Sequence, residues 1–189
     1  MRNRWLIYGL IGLAFGIADW FFLDLLAALG QNRALNDYLL QAPDILRILA
    51  VLLLVGLNYG IWLVPVIPIA IYEVKRSQSL RRAALSAALV WSAAMLSYYG
   101  YYTAALLFIG LPNLDFVLFS NRISATYWAD AQPIFQRVIL DQFMEWIVIA
   151  IVGGICVGGL SAYLYRRVLA RRAAGRPGRS APQVNSPIL

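Results

Sequence analysis

The chain has 189 residues, 61% of them hydrophobic and 13% charged, with a mean hydropathy of +0.69. Such a composition describes one domain that is too apolar for a water-soluble protein of this size. With no histidine and one cysteine, the sequence excludes a histidine general base, a histidine-ligated haem or zinc site and an intrachain disulfide. We expect no cofactor and no metal. The formal charge of +7 raises nucleic acid as a partner, and the placement of the basic residues, described below, argues against it.

The first apolar stretch, Trp5–Leu29, is interrupted only by Asp19 and Asp24. A helix rising 1.5 Å per residue crosses a hydrocarbon core of about 30 Å in about 20 residues. On that measure Asp19 lies near the midplane and Asp24 toward the far interface. A central aspartate costs about 2.5–3.5 kcal/mol on insertion, against gains of about 0.3–0.6 kcal/mol for each central Leu, Ile or Phe. The span therefore inserts readily only if Asp24 reaches the interface or the carboxyls find partners. Gly9, Gly12, Gly16, Asp19, Leu23 and Ala27 share one helix face, and small residues on such a face let a second helix approach closely. Asp19 is expected to face protein and to hold a hydrogen-bond partner there. Asp24, five residues on, lies on another face. The opening Met1–Arg4 and the apolar Leu6–Ala18 also have the form of a signal peptide. Hydrophobicity resumes after Asp19 without a small-x-small site, which favours a retained anchor.

Residues 30–44 read as a polar connection. The second span covers about 45–72, with Asn58 at its middle and Pro65 and Pro68 loosening its later half. A short basic connection, 73–82, leads to the third span at about 83–109, which carries the run Tyr98–Tyr102. That run falls where an outer aromatic belt is expected. The long connection over 110–139 contains Leu114–Phe119, read as a short interfacial helix, and a helix start at Asp130 and Pro133. The fourth span covers about 140–165. Within it Gly154 and Gly158 have the spacing of a close helix contact, and Cys156 reads as an inert packing residue. The tail, 169–189, is basic and rich in Gly, Pro and Ser, and is expected to be disordered. The fold class is thus all-α: a polytopic integral membrane protein, with a four-transmembrane-helix bundle over 1–168.

Twelve of the sixteen Lys and Arg residues lie at the N-terminus, in the 73–82 connection and after the fourth span. This bias places both termini in the cytoplasm and fits a bacterial cytoplasmic membrane. It also accounts for the basic pI, and nucleic acid drops out as a partner. The arginine-rich tail would attract anionic lipid headgroups, at about 1 kcal/mol per residue near the surface.

The same orientation gathers the acids outside. Asp141, Glu145, Ile149, Val152, Cys156 and Gly159 form one stripe on the fourth span. A polar pocket near the outer leaflet, lined by Asp24 and Glu145 with Arg122 or Arg137 as counterion, is the sharpest site hypothesis, with Asp19 and Asn58 deeper in the bundle. No nucleophile elbow, phosphate loop or zinc-binding helix occurs, so no catalytic residue is assigned. The first functional expectation is a non-enzymatic membrane component that packs with itself, as a homo-oligomer, or with a larger complex through its glycine faces. The alternatives are a small or proton-coupled carrier using Asp19, Asp24 and Glu145, and an outer-leaflet enzyme acting on lipid.

Overall fold

The computed structural model describes residues 2–105, 129, 132–133 and 135–174. Every regular element among them is helical. In chain order these are α1 (Arg2–Gly30), α2 (Arg33–Gln41), α3 (Asp44–Gly60), α4 (Leu63–Ser77), α5 (Leu80–Ala104) and α6 (Gln142–Ala174). A π-helical segment, Phe135–Asp141, leads directly into α6. Three helical stretches are long and apolar enough to cross a membrane: Asn3–Gly30, Leu80–Ala104 and Phe135–Arg172. The pair α3 and α4 makes a fourth if it is counted as one bent span.

The central element is α5. Half of its most apolar window is buried, against 22% for the corresponding windows of α1 and α6. Its own sequence explains this position. Ala83, Ala87, Ala88 and Ala94 keep its surface low, and glycines on both neighbours close onto it. A methyl group at Gly16 of α1 would fall 2.8 Å from the Ala94 carbonyl carbon, and closer still to its oxygen and to Ser97 Oγ. At Gly12 it would lie 2.9 Å from Ala93 Cβ. On the other side, a methyl at Gly154 of α6 would fall 2.6 Å from Ala88 Cα, and at Gly158 it would run into Ala87 Cβ. Backbones this close gain dispersion contacts along their whole length, the main attraction available between helices in lipid. Gly9 meets nothing within 4 Å, so the close contact of the α1 stripe begins at Gly12.

The second span is broken. Helices α3 and α4 meet at a 52° bend across Ile61 and Trp62. The cause is Pro65, whose ring excludes the carbonyl four residues back, that of Ile61. That carbonyl instead accepts from Val64 N–H at 3.0 Å. The bend thus precedes the prolines by one turn. Below it, α4 buries Pro65, Val66, Ile69, Ala70, Glu73 and Val74; above it, α3 buries none of its residues.

Several expected boundaries move. The 30–44 connection contains α2, whose start is tied back by Asn36 Nδ2 donating to the Gly30 carbonyl at 3.1 Å. The 73–82 connection shrinks to Gln78 and Ser79, because α4 continues through Ser77. Gln78 takes a left-handed conformation (φ 54°), and Ser79 Oγ caps α5 by accepting from Arg82 N–H at 3.3 Å. Helix α6 runs on to Ala174, six residues into the segment expected to be disordered. The interfacial helix at Leu114–Phe119, the residues Arg122 and Asp130, and the tail beyond 174 lie outside the described residues.

Candidate functional site: a polar cavity beside a buried carboxyl

Two carboxyl groups are buried among the described residues, and they differ in kind. Glu73, at the basic end of the bundle, is 3% exposed. Its Oε2 accepts from the Tyr8 hydroxyl at 2.7 Å and pairs with Arg4 Nη1 at 3.4 Å. This is a satisfied polar lock between α1 and α4. The sequence reading put Glu73 in a connection, and the structure places it inside α4. On the same side Lys75 Nζ lies 5.1 Å from the centre of the Tyr165 ring, joining α4 to α6.

Asp19 is 2% exposed, enclosed as expected. The expected partner is missing: neither carboxyl oxygen has a hydrogen-bond partner among the described residues. The reason lies on the facing helix. Gly16 brings α1 against Ala94 and Ser97, and the Ser97 hydroxyl is already committed to the Ala94 carbonyl at 3.1 Å. Alanine has nothing to offer.

One turn further along the same face of α1, Leu23 borders a cavity of about 150 Å³. Its other walls are Asn58 and Tyr59 of α3, Trp62 at the bend, Met95, Tyr98 and Tyr99 of α5, and Gln142 and Trp146 of α6. All four candidate spans therefore contribute, and the α3–α4 bend helps to form the cavity by swinging α3 away from the bundle. The rings brace one another. Trp62 and Tyr98 meet edge-on with centroids 5.6 Å apart, Tyr98 and Tyr99 at 5.2 Å, and Tyr59 stacks on Trp146 at 6.0 Å.

The structure thus brings Asn58 into a cavity wall and Asp19 to within a turn of it. It does not bring the other predicted residues together. Asp24 and Glu145 are exposed and line no part of the cavity. The stripe Asp141–Glu145–Ile149–Val152–Cys156 faces outward, because α6 turns Ala150, Gly154, Gly158 and Ala162 to the core. Cys156 is accordingly exposed rather than packed. Arg137 is exposed and borders a separate recess with Gln132, Pro133, Gln136 and Asp141. Among the described residues it pairs with neither Asp24 nor Glu145. Of the aromatic walls, Tyr98 and Tyr99 belong to the run read first as an aromatic belt and second as a ligand-site lining, whereas Tyr59, Trp62 and Trp146 carry no expectation from the sequence. A usable signal existed in Asn58 with Trp62 and Gln142 with Trp146, each a polar–aromatic pair one turn apart.

Comparison with protein-family models, with curated proteins and with solved structures returns no match.

Proposed function

We propose that this chain is a small carrier of the bacterial cytoplasmic membrane, binding a small polar solute in the cavity with Asp19 as its working carboxyl. In this reading the bent pair is one span, giving a four-helix bundle with both termini cytoplasmic and the cavity toward the outer leaflet. The supporting observation is the pair of Asp19 oxygens, buried and without a partner among the described residues. A buried polar group left unsatisfied costs about 1–3 kcal/mol. An ionisable group at membrane depth that does not contribute to the fold is a candidate for moving charge or solute. Charge movement in proteoliposomes on a solid-supported membrane, on challenge with small cations, zwitterions, anions and neutral solutes, tests the reading. A solute-dependent current is expected, and Asp19→Asn should abolish it while leaving the protein folded. No current with any solute, or an undiminished current in the variant, refutes it.

A second reading keeps the chain as a membrane component that associates with itself. The glycine faces expected to serve this purpose, Gly12 with Gly16 and Gly154 with Gly158, are filled within the chain by α5. Gly56 and Gly60 on α3 favour the reading instead. They have small-xxx-small spacing and meet nothing within 4 Å. A wild-type protein that is dimeric in mild detergent and monomeric as Gly56→Leu would support it; a monomeric wild type removes it. The lipid-enzyme alternative gains nothing from the geometry, since Asp19 is enclosed while Asp24 and Glu145 are exposed.

A further inference from the structure

The walls of the cavity narrow the solute, and the inference drawn from them rests on the reading of the cavity as a solute site. Five of its nine lining residues are aromatic: Tyr59, Trp62, Tyr98, Tyr99 and Trp146. The only other polar lining groups are the uncharged amides of Asn58 and Gln142. Among the described residues no lysine or arginine borders it. Acids adjoin three of its lining residues in the chain, Asp24 beside Leu23, Asp141 beside Gln142 and Glu145 beside Trp146, and no basic residue adjoins any of the nine. The surroundings therefore repel anions.

Aromatic faces carry negative potential and attract cations, more strongly as the cation is stripped of water. A strongly hydrated metal ion would need oxygen ligands converging on it, and no group of three acidic or cysteine side chains converges among the described residues. A weakly hydrated organic cation needs only ring faces and a nearby negative field. Size sets the remaining limit: a cavity of about 150 Å³ in an unrelated protein holds benzene, so the occupant here is of about that bulk.

We propose that this cavity binds a small organic cation of the quaternary-ammonium type, seated among Trp62, Tyr98 and Trp146 with Tyr59 closing one side. The amides of Asn58 and Gln142 are placed to accept from or donate to a hydroxyl or ester on the same molecule. The ammonium can be a free solute or the headgroup of a choline lipid, since either presents the same group.

The test is isothermal titration of the purified full chain in nanodiscs of phosphatidylglycerol, which carry no ammonium headgroup. The probes are choline, tetramethylammonium and 3,3-dimethylbutan-1-ol, the neutral isostere of choline. Wild type is expected to bind both cations at least tenfold more tightly than the isostere. Tyr59→Leu changes an exposed residue on a helix with no buried residues, so it leaves the fold intact, and it should weaken choline at least fivefold. Trp146→Leu should weaken it at least tenfold. Equal affinity for choline and its isostere would overturn the cation assignment while leaving a solute site, and so the carrier reading, standing. Binding that Tyr59→Leu and Trp146→Leu both leave unchanged would overturn the location, as would no binding of any probe. Repeating the titration in phosphatidylcholine nanodiscs separates the sources: loss of choline binding there identifies the lipid headgroup, and retention identifies the free solute. Intact cation binding without any solute-dependent current would refute the carrier and keep the cation site.

Discussion

Asp19→Leu separates a carboxyl that supports the fold from one that burdens it. If Asp19 held a partner, replacing it with an apolar residue would orphan that partner and cost about 1–3 kcal/mol. The structure reverses the sign. Both oxygens are buried and have no partner among the described residues, so the leucine removes a penalty of that size and orphans none of those residues. Leucine branches at Cγ as aspartate does, but it is bulkier, and it enters a face where α1 already sits hard against Ala94. Overpacking costs about 1–3 kcal/mol and offsets the gain. The two terms are of similar size and largely cancel, so the expected outcome is a variant within about 2 kcal/mol of wild type. For a chain of this length that is a change in Tm of no more than about 4–8 °C. Asp19→Asn exchanges one unsatisfied polar group for another and should stay within about 0.5 kcal/mol of wild type. Thermal unfolding in detergent, followed by the folded fraction on gel filtration, reads all three proteins. A fall of more than about 8 °C for Asp19→Leu exceeds what overpacking leaves after the penalty is removed; it would show that Asp19 has a partner, and the argument for a functional carboxyl would fail with it.

Gly16→Ala should cost about 2 kcal/mol by driving a methyl into the Ala94 carbonyl, whereas Gly9→Ala, which meets open space, should cost nothing; equal melting temperatures would refute the α1–α5 contact. Glu73→Gln keeps an acceptor for Tyr8 and gives up only the ion pair with partly exposed Arg4, a loss of about 0–1 kcal/mol. Glu73→Leu strands the buried Tyr8 hydroxyl and should cost about 1–3 kcal/mol, so equal losses for the two variants would mean that the hydrogen bond contributes nothing. A fluorescent reporter fused after Leu189 should light up in a bacterial host and an alkaline phosphatase fusion there should be inactive; the opposite pattern would overturn the assigned orientation.

Helices, and the close approach of α1 to another helix, were legible in the sequence because apolar length and glycine spacing are local properties. The partner at that approach was not. Gly12, Gly16, Gly154 and Gly158 announce contacts equally suited to a second copy, and only the fold shows α5 filling both faces from within the chain. The rotation of α6 was misjudged for a related reason. Glu145 and Gly154 lie on different faces of one apolar helix, and the sequence does not say which faces the core when both lipid and protein are apolar. The small residues decide it, since Gly154 and Gly158 permit a backbone contact that Ile149 and Val152 would block. The bend was legible in its cause, Pro65, but not in its consequence. Tyr59 and Trp62 beside the bend share a cavity wall with Trp146, and that cavity is lined from α1, α5 and α6 as well, which are distant in sequence.

The contrast between the two buried carboxyls bears most directly on what the bundle does. At its basic end the fold completes a polar site: Glu73 has a hydroxyl donor and a cation within reach, and it ties α1 to α4. The same fold therefore has the means to satisfy a buried acid. Asp19 has no such donor: among the described residues no hydroxyl is directed to its oxygens. Tyr98 and Tyr99 line the cavity instead, where Tyr98 meets Trp62 and Tyr99. A fold that satisfies one buried acid and leaves the other without a partner among its described residues gives up stability at Asp19 alone, and that is why the functional proposal is placed on Asp19 and not on Glu73.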